Sequence, residues 1–323
     1  MSESVPRGPS LKQGRLYGMS KVNLAVDLAG IKLQNPVTTA SGTFGFGLDY
    51  LDYYDVNRLG AVTLKSITRK KRPGNPTPRI VETPAGILNS IGLANPGLED
   101  FLAVDIPLLR QVQVPVLASI AGDTVDDYVY LAEKLEEEPK IAGIEVNISC
   151  PNVRKGGMEF GVDCLQVDKL VREVREATAK PLIIKLSPNV TSVTEVALAA
   201  VNAGADALAL INTLLGMKID VTTRKPVMAN KVAGLAGPAI RPVAVRMVWQ
   251  VAQAVDVPII GMGGICTTED ALEFIMAGAT SVAVGTWNFV NPMAPVEIIK
   301  GLEDYCLQYG IRDINELIGC SWR

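Results

Sequence analysis

The chain has 323 residues, 48% of them hydrophobic and 20% charged, enough to bury the core of one large domain or two ordinary ones. Thirty-four acidic against 31 basic residues give a formal charge of −3, which argues against a polyanion-binding surface and so against a nucleic-acid partner. Histidine is absent and the five cysteines form no CxxC pair, which argues against a zinc site or an iron–sulfur cluster held by this chain alone and leaves proton transfer to Cys, Lys, Asp, Glu or Tyr.

In chain order, residues 1–21 lack the apolar core of a signal peptide and read as a disordered lead-in, with Met19 as an alternative start, ahead of one domain over 22–323. No apolar run approaches the roughly 18 residues that span a bilayer, so no membrane partner is expected and the location is read as cytoplasmic. NLAVDLAGIKLQN (23–35) reads as a hairpin. Eight short apolar, β-branched runs follow: 36–41, 61–66, 114–120, 143–149, 181–187, 205–212, 257–264 and 281–286. Amphipathic helical stretches lie between them at 125–138, 167–179, 193–205, 241–255 and 268–279. Strands without clean alternation, each followed by a helix, imply a parallel sheet buried on both faces. Eight such units predict an α/β (β/α)₈ TIM barrel, with an open doubly wound sheet as the alternative and the hairpin as a plug for the barrel bottom. Two connections are long, about 67–104 and 213–240, and in a barrel both lie over the C-terminal face, where function sits.

The polar residues concentrate at the strand ends: Ser41-Gly42, Lys65-Ser66, Asn147 with Ser149 and Cys150, Lys185, Ile211-Asn212-Thr213, Gly263-Gly264 and Gly285-Thr286. Turn chemistry accounts for the glycines and asparagines but not for two lysines beside buried strands, because a buried ammonium needs an anion or acceptor. Glycines after the last two strands offer backbone N–H groups to a phosphate, although tight turns also use glycine. Asparagines suit an amide or imide edge. Flavin mononucleotide (FMN) has the phosphate, the imide edge and the anionic reduced ring that this set fits. Cys164, Cys266, Cys306 and Cys320 read as small buried hydrophobes, and Lys70-Lys71-Arg72 and the 133–138 run as solvated charge. A lyase or isomerase barrel that binds phosphate without redox chemistry also remains open.

Taken together, ASGTFGFG (40–47), Lys65-Ser66, NSIGLANPG (89–97), NISCPN (147–152), Lys185, INT (211–213), GLAGPAI (234–240), GMGG (261–264) and GT (285–286) resemble the dihydroorotate dehydrogenases of class 1 over about 22–310. The cysteine in NISCPN is similar to class 1, and the VRKGGMEFG continuation and the ASGTFGFG opening to subclass 1B. The resemblance implies oxidation of (S)-dihydroorotate to orotate in pyrimidine biosynthesis, with Cys150 as catalytic base. It implies FMN contacts from Ser41, Lys65, Ser66, Asn147, Lys185, Ile211, Gly237, Gly263, Gly264, Gly285 and Thr286. Lys65, Asn89, Ser90, Ile91, Gly92, Leu93, Asn147, Asn152, Asn212 and Thr213 are implied to hold substrate. It further implies a homodimeric core in a heterotetramer, with FAD and a [2Fe–2S] cluster on an electron-transfer subunit that serves NAD⁺. A fumarate-dependent class 1A enzyme, a dihydropyrimidine dehydrogenase-like FMN barrel and a tRNA-dihydrouridine-reducing enzyme are the related alternatives.

Overall fold

The computed structural model describes residues 22–47, 49–148, 161 and 163–323; the expected lead-in over 1–21, Cys150 and Asn152 lie outside them. Eight parallel strands form one sheet: β1 (Val37–Thr39), β2 (Val62–Thr63), β3 (Val116–Ile120), β4 (Ile141–Asn147), β5 (Leu182–Lys185), β6 (Ala207–Leu210), β7 (Ile259–Met262) and β8 (Ser281–Val284). Their order is β1-β8-β7-β6-β5-β4-β3-β2, each paired in parallel with its neighbour. All eight sequence-read runs contain strands, seven of them shorter than the run and β4 of equal length but starting two residues earlier. Side chains of β3 and β5 to β8 are buried throughout, which is why these strands read as unbroken apolar runs rather than alternating ones.

β1 and β2 close the ring without a regular ladder. The Gly60 N–H donates to the Val37 carbonyl at 2.8 Å, and the Thr63 N–H donates to the Thr39 hydroxyl at 3.0 Å. A Cβ on Gly60 would collide with the Asn35 carbonyl oxygen, so this close approach requires glycine. The observed architecture is the (β/α)₈ barrel, and the open-sheet alternative is set aside.

Among the described residues, six helices of ten residues or more pack outside: α1 (Val125–Glu136), α2 (Cys164–Glu176), α3 (Val193–Asn202), α4 (Arg241–Ala252), α5 (Thr268–Ala277) and α6 (Ala294–Tyr309). Thr124 with Asp127, and Thr267 with Asp270, form capping boxes that start α1 and α5. α6 was not among the sequence-read helices: Pro295 and Gly301 dilute its local signal, and a Gly310 in left-handed conformation ends it. Val26–Leu28 and Ile31–Leu33 pair as the expected antiparallel hairpin. Leu28 and Leu33 are fully buried, and Ile31 packs at Gly143, near the start of β4, which puts the hairpin at the N-terminal floor.

The two long connections meet at the opposite end. Ile80–Thr83 and Gly86–Asn89 come from the first, Leu214–Met217 and Val232–Ala236 from the second. Together they make one antiparallel four-stranded sheet in which Asn89 faces Gly234.

Candidate active site

A cavity of about 660 Å³ opens at the C-terminal ends of the barrel strands. That lies within the roughly 300–1,000 Å³ of small-molecule sites. Of the residues expected there, it is lined by Lys65, Asn89, Ile91, Gly92, Leu93, Asn147, Lys185, Ile211, Asn212, Thr213, Gly237, Gly263, Gly264, Gly285 and Thr286. Ser41, Ser66 and Ser90 stand behind that wall, each buried and hydrogen-bonded.

One end of the cavity is bare backbone. Gly237 (φ +99°) precedes the short turn Pro238–Ile240 that runs into α4, and Gly264 (φ +80°) packs directly on it. A Cβ on Gly264 would lie 2.7 Å from the Gly237 carbonyl oxygen and 3.0 Å from the Arg241 Cβ. Gly285 opens a second turn, Thr286–Phe289, beside it. The two glycine turns converge where a phosphate group would meet bare backbone; at the start of α4 the Ala239, Ile240 and Arg241 N–H groups already donate to the Ala85, Gly237 and Pro238 carbonyls. The Arg241 guanidinium faces Asp270 and Glu273, the latter at 3.3 Å. Asp270 also accepts from the Cys266 and Thr267 N–H groups at 2.8 and 3.0 Å, which fixes the turn after β7.

The cavity floor is a buried polar layer. Lys185 is 5% exposed and donates to the Ser41 hydroxyl at 3.1 Å. Its ammonium lies 3.8 Å from Oε1 of Glu145, which is 1% exposed. Next to them the Ser66 and Ser119 hydroxyls are 2.8 Å apart, and the Asn147 amide reaches Ser66 at 3.4 Å. Glu145 was not among the expected residues, although a signal existed. The eight strands contain two charges, Glu145 and Lys185, of opposite sign and on neighbouring strands.

Amides organise the rest. The Tyr128 hydroxyl on α1 donates to the Asn147 carbonyl at 2.9 Å and so pins the end of β4. Asn212 donates to the Asn147 side-chain oxygen at 3.4 Å. Asn189 donates to the Thr213 carbonyl at 3.0 Å and accepts from the Leu215 N–H at 2.9 Å, tying the end of β6 to the overlying sheet. Asn95 holds the 89–97 loop against β2, accepting from the Thr68 and Gly97 N–H groups and donating to the Thr68 hydroxyl and the Leu93 carbonyl. Asn75 and Asn230 both donate to the Ser90 hydroxyl, at 3.1 and 3.0 Å.

Sequence reading also missed the segment after β1. Asp49, Tyr50 and Tyr53 reach the cavity rim, as do Trp287 and Phe289 from the turn after β8. Tyr50 stacks on Phe44 with centroids 4.3 Å apart and donates to the Thr43 carbonyl; burial pushes its phenol above the ordinary value. The run DYLDYYD (49–55) was the available signal. Burial also pushes the Cys266 thiol, on the cavity wall, up to about 11.

A family model described as dihydroorotate dehydrogenase matches residues 23–306. A curated relative from Geotalea uraniireducens, named dihydroorotate dehydrogenase B (NAD(+)), catalytic subunit, is 57% identical over 301 residues, covering 93% of this chain and 99% of its own. Relatives of the same name from Desulforudis audaxviator and Alkaliphilus oremlandii are 57% and 56% identical, covering 94% and 93% of this chain and 99% of their own.

Proposed function

The chain belongs to the dihydroorotate dehydrogenase family, and on that premise we propose that it is the catalytic subunit that oxidises (S)-dihydroorotate to orotate in pyrimidine biosynthesis. Electrons then pass to NAD⁺ through a partner subunit. The observation that carries this reading is the convergence, in one cavity, of a glycine cradle, a buried lysine and several amides at the strand ends. Gly237, Gly263 and Gly264 sit too close to their neighbours to carry a Cβ, which leaves this end of the cavity as backbone suited to a phosphate, and Lys185 would meet the negative charge of a reduced isoalloxazine, so these residues fit FMN. Gly237, Gly263, Gly264, Gly285 and Thr286 would hold its phosphate end. Lys65, Asn147, Lys185 and Ile211 would hold the ring, with Ser41 and Ser66 supporting them from behind.

FMN, when bound, supplies the acceptor for the hydride that leaves C6 of dihydroorotate. The chain supplies everything else. Lys65, Asn147, Asn212, Thr213 and the 89–93 loop orient the amide-rich substrate ring against the cofactor, a role in which Asn152 is proposed to share, and this removes much of the entropic cost of the encounter. Their N–H groups stabilise the enolate-like charge that forms as the C5 proton departs, and need lose no proton to do so. Cys150 takes that proton. A free thiol has a pKa of about 8.5, so only a minority of molecules carry the thiolate at neutral pH, and flavin reduction accelerates as pH rises until Cys150 is ionised.

The partner subunit would carry FAD and a [2Fe–2S] cluster, docked on a homodimer of barrels to give a heterotetramer. No described helix is long and apolar enough to cross a membrane, and the proposed location is the cytoplasm. The test is to purify the chain alone. It should be yellow, bleach on addition of dihydroorotate, and turn over with an artificial acceptor but not with NAD⁺ until the partner is added. Efficient fumarate reduction by the isolated chain would move it to class 1A, and turnover of dihydrouracil but not dihydroorotate would overturn the reading.

A further inference from the structure

The buried carboxylate beneath Lys185 touches neither the proposed substrate site nor the cavity surface. Glu145 does not line the cavity, whereas Lys185 does. In the β4–β5 register Asn147 stands opposite Lys185, and Glu145 lies two residues deeper on β4, opposite Ile183. Its Oε1 is buried, accepts no hydrogen bond among the described residues, and faces the ammonium at 3.8 Å. The hydrogen bond that Lys185 donates goes to Ser41 instead. A fully buried carboxylate oxygen left without a donor is costly, and a contact at this distance is Coulombic rather than a formed hydrogen bond. Neither ordinary packing nor turn chemistry explains a glutamate at this depth.

We propose that Glu145 is a positioning residue that acts through Lys185, neutralising the ammonium from below and so setting how much positive potential reaches the cavity. The proposal rests on the reading that FMN occupies the cavity with its ring beside Lys185. Without Glu145, the ammonium would stand alone in the barrel whenever the flavin is oxidised and neutral. With it, the layer is neutral in that state, and the extra electron density of the reduced ring has to share the lysine with a standing carboxylate. Glu145 therefore opposes reduction and Lys185 favours it. Two residues in contact thus have effects of opposite sign on one equilibrium, a pattern that a purely structural ion pair would not give.

The experiment measures the midpoint potential of bound FMN and the FMN affinity of apo-protein, in wild type, E145Q, E145D, K185Q and E145Q/K185Q. E145Q keeps the shape and removes the charge. It should shift the two-electron reduction equilibrium about tenfold toward the reduced form, roughly a 30 mV rise. K185Q should shift it the other way, the double variant should fall between the two, and E145D, which restores the charge, should return close to wild type. An unchanged or lowered potential in E145Q, with K185Q lowered as expected, would overturn the role of Glu145 and leave the functional reading intact. An E145D shift equal to that of E145Q would also overturn it, since charge would not be the cause. If wild-type protein binds no FMN, or K185Q leaves the potential unmoved, the functional reading itself fails.

Discussion

The two ends of the barrel are built from the same eight strands and solve opposite problems. At the floor, a hairpin carries Leu28, Ile31 and Leu33 against the strand starts, and the closure is apolar. At the mouth, burial is as deep but the buried groups include Ser41, Ser66, Asn147, Glu145 and Lys185. Depth alone therefore does not decide chemistry. The floor spends its sequence on stability, whereas the mouth keeps charges and amides buried at a cost in stability, and it is at the mouth that we propose the reaction takes place.

Substitutions at the two ends should separate these roles. The largest effect is expected for the proposed base: Cys150→Ser should slow flavin reduction about 10²–10⁴-fold in stopped-flow traces with dihydroorotate while FMN content stays the same; a wild-type rate would remove Cys150 from the mechanism. At the floor, Leu33→Ala should cost about 2–5 kcal/mol in urea unfolding of the holoprotein. Its FMN affinity per folded molecule should be unaltered, and a parallel loss of affinity would mean that the two ends are coupled. Gly264→Val, which forces a branched side chain into a left-handed backbone beside the Gly237 carbonyl, should weaken FMN binding to apo-protein by about 1–3 kcal/mol in a fluorescence titration.

The smallest effect concerns Cys266. Its thiol moves from 9.0 to about 11 because burial disfavours the thiolate. The unfolded chain therefore ionises first, so the contribution of this residue to stability is complete below pH 9 and is lost as pH rises toward 11. Thermal unfolding of Cys266→Ala across that window should show a shallower decline than wild type; equal slopes would assign the decline to other groups.

The barrel was legible because its strands and most of its helices are locally periodic, and because polar residues cluster where the strands end. The pairing of Asn89 with Gly234 was not, since it joins segments 145 positions apart whose glycines and turns erase local periodicity. Tyr128 shows a different blind spot. On an amphipathic helix it reads as one more apolar position, and only the fold reveals that its hydroxyl anchors Asn147. Asn75, Asn95 and Asn230 look like turn residues, and they are, but the turns they build form the cavity wall. For Glu145 the sequence carried the signal, a lone acid in an apolar strand beside a strand with a lone base, and charge counting across strands would have found it.

The pairing of the first strand with the last has a consequence for how the protein is made. The Ser281 hydroxyl on β8 donates to the Pro36 carbonyl, 245 positions away, and β8 pairs with β1 along its length. On a ribosome, β1 waits for its neighbour until nearly the whole chain has emerged. The turns at Gly264 and Gly285, which we propose hold the phosphate end of FMN, belong to that same late portion, so on that proposal a chain halted before them would lack both the last barrel strand and the phosphate end of the site.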